Sequence, residues 1–251
     1  MSWRFFRQIS GFLGLALIGA LCWGLLVAGE RSMGTENTSA LSALMHAMMR
    51  PQLTGTYLSA AAIMWIVMMI AMMAPAALLM MVIFQRMNRG AAPSRDATLF
   101  AAGYLSGWSL FAVVAAGLQW WLHSLGWIRG MSLAAGSELA AGLFLAAGAY
   151  QLSPWKESCL TRCQSPMSFL LENWRDGPLG ALRMGFHHSL YCVGCCWLLM
   201  LLMFAGGAMS VATMGALCLF VLLERLVPPS RWLARLPGVA LLAWGAWLVT
   251  L

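Results

Sequence analysis

Seven stretches of the chain, residues 9–28, 57–84, 99–122, 131–152, 183–204, 209–227 and 236–251, consist almost wholly of apolar side chains. A helix rises ~1.5 Å per residue and the hydrocarbon core of a bilayer is ~30 Å thick, so about 20 apolar residues make one crossing. Only 9% of the 251 residues are charged, while 61% are hydrophobic. A soluble domain carries about 25% charged residues and could not hide this much apolar surface from water. The expected fold is therefore all-α: a polytopic transmembrane helix bundle of about seven spans, one domain over residues 1–251, with the lipid bilayer as its first partner. The first run, preceded by Trp3, Arg4 and Arg7, looks superficially like a secretory signal, but it is long enough to span and reads as an anchor helix. Gly206–Gly207 predicts a tight hairpin between spans five and six.

The formal net charge of +7 is explained by topology and does not argue for nucleic acid. With the N-terminus inside, the outside connections carry only Arg31, Arg50 and Arg129 of the fifteen Lys and Arg. That sorting predicts N-terminus in and C-terminus out, and an odd number of spans. Two connections exceed a turn. The outer one, residues 29–56, contains residues 39–49, which read as a short amphipathic helix on the membrane. The inner one, residues 153–182, holds Cys159 and Cys163. Residues 168–174 within it read as an interfacial helix that Gly177–Pro178 ends.

Five of the seven cysteines fall in two tight clusters. An odd count at such spacing does not resemble a disulfide framework. At 100° per residue, Met184, His188, Cys192, Cys195 and Cys196 fall within an arc of about 120° on span five. Their i, i+3 and i, i+4 pairs have Cβ atoms ~5–6 Å apart, and thiolate with imidazole suits a soft or borderline ion such as Cu(I) or Zn. Small, polarisable cysteines also pack helices, but three within five residues beside an in-face histidine favour ligation. Cys159 and Cys163, at i, i+4, suit a shared ion or a reversible dithiol. Neighbouring Lys156 and Arg162 are expected to lower their thiol pKa values. Topology sets both clusters near the inner face.

Span two carries Met64, Met68 and Met72 on one ladder, with Met69 and Met73 beside it. Pro75 is expected to kink this helix. Thioethers hold Cu(I) without deprotonation, although methionine is also a gap-filler, and for the stripe alone packing is the stronger reading. Met45, His46 and Met49 on the outer connection suit a capture site for a soft metal or, more readily, the buried side of an interfacial helix. Glu138 lies near the outer end of span four. Glu224 ends span six beside Arg225 and is a candidate by its place in the membrane, or a helix-end ion pair with Arg225 or another loop cation. No protease, lipase, P-loop or dinucleotide signature occurs in a usable context.

Several of these residues resemble one family. They are Ser153-Pro154, Lys156, Cys159, Cys163, Pro166, Phe169, Trp174, Gly177, the run Gly180 to Gly185, His188, and Tyr191-Cys192-Val193-Gly194-Cys195-Cys196-Trp197. Trp65, Met68, Ala71, Met72, Met73 and Pro75 resemble its span-two pattern, and Glu224 its acidic position in span six. The family is the bacterial predicted metal-binding integral membrane proteins, domain of unknown function 2182. The resemblance covers roughly residues 55–230. This chain has Ser189 where the family usually has Gly, and Arg225 where Lys is common.

The resemblance and the residues together imply a protein of the bacterial inner membrane that binds, transfers or inserts a metal, copper first and zinc second. Cys192, Cys195, Cys196, His188, Cys159 and Cys163 are the expected ligands. Met64, Met68, Met72, Met45, His46 and Met49 form a candidate relay. A metallochaperone or a membrane complex is the expected protein partner. Two competing readings stay open: a membrane thiol–disulfide oxidoreductase, and a non-catalytic subunit of a larger assembly. No catalytic residue is assigned.

Overall fold

The computed structural model describes residues 3–32, 54–88, 92–129, 133–226 and 231–250. The expected surface helix over residues 39–49, with Met45, His46 and Met49, lies outside the described residues. In chain order the elements are α1 (Trp3–Ser32), α2 (Gly55–Met87), α3 (Pro93–Ser124), β1 (Ile128–Arg129), β2 (Ala134–Ala135), α4 (Ser137–Gln151), α5 (Pro154–Gln164), α6 (Pro166–Asn173), α7 (Gly177–Leu201), α8 (Met203–Gly206), α9 (Val211–Leu226) and α10 (Arg231–Val249). The described residues are helical apart from turns and one two-stranded antiparallel ladder, in which Ile128 faces Ala135 and Arg129 faces Ala134.

Helix starts follow the sequence chemistry. Thr54 Oγ1 accepts from the Tyr57 N–H at 3.3 Å, and Ser153 Oγ accepts from the Lys156 N–H at 3.2 Å. Each satisfies a donor that a first turn leaves without an intrahelical partner. α3, α5, α6 and α7 each have a proline in the first turn, where the missing N–H costs nothing. Gly177, with φ of +81°, and Pro178 therefore open α7 rather than merely end α6. Span five starts six residues earlier than the hydropathy alone suggests. α2 continues through Pro75 to Met87.

Among the described residues, four helical stretches are long and apolar enough to cross a membrane: Leu13–Arg31, Gly55–Met87, Pro93–Ser124 and Gly177–Gly206. The other three expected spans fall on shorter helices. α4 has 15 residues and α9 has 16, lengths of ~22 and ~24 Å, and the apolar part of α10 is Arg235–Val249. The run expected over residues 131–152 is shortened because its start belongs to the β1–β2 ladder.

Packing centres on α2, α3 and α7. Trp65, Trp108, Tyr57, Tyr104, Phe84, Phe100 and Phe204 are fully buried there, together with Met68, Met69, Met72 and Met73. α3 and α7 lie backbone to backbone. A Cβ added at Gly185 would stand 1.9 Å from the Phe100 carbonyl oxygen, and one at Gly103 would stand 2.1 Å from that of Leu182. Glycine lets two membrane helices approach this closely. Gly107 makes room for Ser189, whose Oγ would lie 1.8 Å from an added Cβ. α10 pairs with α4 in the same manner, through Gly148, Gly238 and Gly245. The turn at Gly206 and Gly207, the latter with φ of +90°, returns α9 towards the other end of α7.

Gly185→Ala is expected to destabilise the bundle by about 1–3 kcal/mol through overpacking. Gly117→Ala, on α3 where nothing lies within 4 Å, should leave stability unchanged or slightly raised. Thermal unfolding of both variants in one detergent compares them, and equal midpoints would refute the crossing.

Candidate metal centre

On α7 the chemistry-bearing face is buried as a unit: Met184, His188, Cys192, Cys195 and Cys196 all lie inside, on the arc that 100° spacing gives them. The α3–α7 crossing sets Tyr104 against this face, and its hydroxyl lies 2.9 Å from Cys192 Sγ. From α9, the Arg225 guanidinium donates to the same sulfur. The His188 ring is enclosed by Phe169 at 4.9 Å, Tyr104 at 5.8 Å and Phe100 at 6.3 Å between centroids. Its Nδ1 is buried without a hydrogen-bond partner.

α5 supplies the second cysteine pair. Its 11 helical residues put Cys159 and Cys163 on one face, against α7. Cys163 Sγ stands 3.9 Å from Cys195 Sγ. Cys159 sits over Gly194, where its sulfur would be 2.9 Å from an added Cβ. Thiols on α5 and α7 therefore meet, and Gly194 admits the nearer helix.

The sulfurs do not converge on one point. The Cys195 and Cys196 thiols turn back to the Cys192 carbonyl oxygen, at 3.1 and 3.0 Å, while Cys192 Sγ faces Tyr104 and Arg225. Among the described residues, no three His, Cys, Asp or Glu side chains stand close enough to hold a metal ion as they lie. The donor set still suits a soft ion: five thiols and one unpartnered imidazole at one end of the bundle. Gathering them requires rotation of the Cys195 and Cys196 side chains and release of Cys192 from Arg225.

Electrostatics around α5 differ from the expectation. Burial, reinforced by Cys195, raises the Cys159 pKa, and Arg162 opposes this without prevailing. Cys163 is raised as well, first by its hydrogen bonds with Cys192 and Cys195 and then by burial. Neither thiol is activated. Lys156 is spent elsewhere: buried, it pairs with Glu224, Nζ lying 2.9 Å from Oε1 and 2.8 Å from Oε2. Gln151 joins both partners, and Gln164 donates to the Glu224 carbonyl at 2.6 Å. Glu224 is thus a helix-end ion pair with a loop cation, and Arg225 beside it turns to the cysteines instead. Arg162 donates to the Tyr191 hydroxyl at 2.9 Å and lies over its ring.

Met64, Met68 and Met72 are buried along α2. Among the described residues, none of the hydrogen bonds of the cysteine cluster comes from α2; Met72 offers only its carbonyl, to Cys218 at 3.5 Å. Glu138 lies in the first turn of α4. Tyr104 and the Arg225–Cys192 contact are the site features that spacing did not reveal. The small residues Gly103 and Gly107, four apart on span three, were the available signal for Tyr104.

These observations define a helical protein with helices long and apolar enough to cross a membrane and a buried thiol–imidazole cluster where α3, α5, α7 and α9 meet. Residues 62–248 match the family model PpoB2, described as copper chaperone, and the chain belongs to that family. Comparison with curated proteins and with solved structures returns no match.

Two outcomes check the electrostatics. Lys156→Met or Glu224→Leu alone should cost about 3–5 kcal/mol, because each strands a buried charge. The double variant should recover much of that loss in thermal unfolding, and additive losses would refute the pairing. For Cys159 the sign is simple: a raised pKa keeps the thiol neutral, and the thiolate is the nucleophile. Its alkylation, followed by peptide mass spectrometry, should still be accelerating between pH ~9 and ~10, where a thiol of pKa ~8.5 levels off.

Proposed function

We propose that the protein is a copper carrier of the bacterial inner membrane, binding Cu(I) as cargo through the cluster formed by Cys192, Cys195, Cys196, Cys159, Cys163 and His188. The observation that carries this reading is the meeting of two sequence-distant cysteine pairs at 3.9 Å, beside an unpartnered buried imidazole, in a chain of a copper chaperone family. Thiolates and imidazole favour copper over hard cations, with zinc second. Seven crossings, N-terminus in and C-terminus out, agree with the Lys and Arg sorting; α4, α9 and α10 would cross locally thinned bilayer. The cluster would then open towards the cytoplasmic face. Met64, Met68 and Met72, with Met45, His46 and Met49, would hand the ion inward from the outer side, and a metallochaperone or a copper-requiring membrane complex would take it up.

The Cys163–Cys195 contact also favours a second reading, a thiol–disulfide oxidoreductase in which these sulfurs bond reversibly. Detergent-purified protein loaded with Cu(I) under reducing conditions separates the two. Cys192→Ser/Cys195→Ser should weaken copper binding by more than the ~10–100-fold typical of losing a supporting group, read by competition with a Cu(I)-chelating indicator. In the wild type a strong chelator should expose further titratable thiols without added reductant. Unchanged affinity in the variant overturns the carrier reading. Thiols freed by reductant and not by chelator favour the oxidoreductase.

A further inference from the structure

Near the start of α7, bordered by Met184 at the edge of the cysteine-bearing face, lies a cavity of about 510 Å³. Its polar lining is Arg175, Arg183, His187, Asn173 and Ser106, with Phe186 among the apolar members, and no carboxylate lines it. Among the described residues neither Arg175 nor Arg183 has a carboxylate partner. Asp176, the acid next in sequence, accepts from the Trp174 indole at 2.9 Å. Two unpaired guanidinia, an imidazole and two neutral donors around one cavity call for an anion, and guanidinium geometry matches phosphate oxygens two at a time.

The surroundings identify which anion. From the cavity an exposed apolar track runs along the paired helices towards their far ends. On α7, Leu190 is 50% exposed one turn beyond Phe186; on α3, Leu110 is 58% and Val114 64% exposed, one and two turns beyond Ser106. Leu179, 69% exposed, flanks the other side. The cationic end lies near the start of α7, one to two turns from where the chain leaves the bundle. A phosphate would sit there at headgroup depth while acyl chains lie along the track. Basic pockets between membrane helices bind anionic headgroups in this way.

We propose that this cavity is a binding site for one anionic phospholipid, its phosphate held by Arg175 and Arg183 with His187, Asn173 and Ser106 around it. The site adjoins the cysteine cluster at Met184 but uses none of the thiols, so the proposal does not depend on copper binding.

The test uses the full chain, delipidated in mild detergent and titrated with phosphatidylglycerol or phosphatidylcholine of identical acyl chains, with bound lipid read by native mass spectrometry. The wild type should retain phosphatidylglycerol preferentially. Each arginine removed should lower that preference about fivefold, so that Arg175→Gln/Arg183→Gln retains both lipids alike. Arg183→Lys, which keeps the charge, should retain most of the preference, and Arg162→Gln, whose partner is Tyr191, should retain all of it. Equal retention of the two lipids by the wild type overturns the proposal. So does an undiminished preference in the double variant, provided it elutes monodisperse and unfolds at the wild-type temperature. Inorganic phosphate displacing the lipid at equal concentration would assign the cavity to free phosphate and overturn the lipid assignment.

Discussion

The contact on which the rest of the molecule depends is the crossing of α3 over α7 at Gly103, Gly107 and Gly185. In a bilayer no hydrophobic effect drives one apolar helix against another, so association rests on close packing. Glycines supply it here by removing the side chains that would hold the backbones apart: three added Cβ atoms would each lie within 2.1 Å of an atom on the facing helix. Two consequences follow from that approach. Tyr104, next to Gly103, is pressed onto Cys192, and the ring of His188 is closed in by Phe100 and Tyr104. Ser189 fits against Gly107 without widening the contact, so the hydroxyl is accommodated by the opposite helix.

A second constraint fixes the remaining elements. α5 is a short polar helix that would find little reason to lie against a membrane bundle by apolar burial alone. The Lys156–Glu224 pair, with Gln151 and Gln164, ties it to the ends of α4 and α9. Buried charges are tolerated when each is paired and hydrogen-bonded, and this network meets that condition. Because Cys159 and Cys163 ride on α5 and Arg225 follows Glu224 on α9, the same latch brings the second cysteine pair to α7 and aims the guanidinium at Cys192. The positioning of the cluster is thus polar on one side and steric on the other.

Much of this was legible from periodicity. The arc shared by Met184, His188, Cys192, Cys195 and Cys196 needs only helical geometry, and it is the buried face. The pairing of the two cysteine clusters followed from loop order, since the end of one helix and the start of the next must share a membrane face. What stayed hidden depends on pairings between distant segments. The sequence left Arg225 or another loop cation open as the partner of Glu224, and only the packing selects Lys156; it also suggested cationic activation for Cys159, yet burial controls the thiol. Hydropathy windows also merge a ladder strand with the helix after it, which is how residues 131–152 read as one span while the helix begins only at Ser137. The function of the methionine stripe was not legible either, because burial along α2 is what both a packing role and a ligand role require.

The geometry of the cysteine cluster bears on what kind of binding it can support. A resident structural metal is held by ligands already gathered around it, and its loss unfolds the site. Here the sulfurs have partners of their own: Cys195 and Cys196 donate to the Cys192 carbonyl, Cys192 rests between Tyr104 and Arg225, and Cys163 lies against Cys195. Each of these contacts has to be given up before the sulfur turns to a cation, so part of the binding free energy offsets their loss and the net affinity falls. Arg225 adds an opposing charge, since a bound cation beside Cys192 would face a guanidinium unless that side chain withdraws. For a catalytic or structural site such competition would be a defect. For a carrier it is an advantage, because an ion held against competing internal partners is released when a recipient offers ligands that have none.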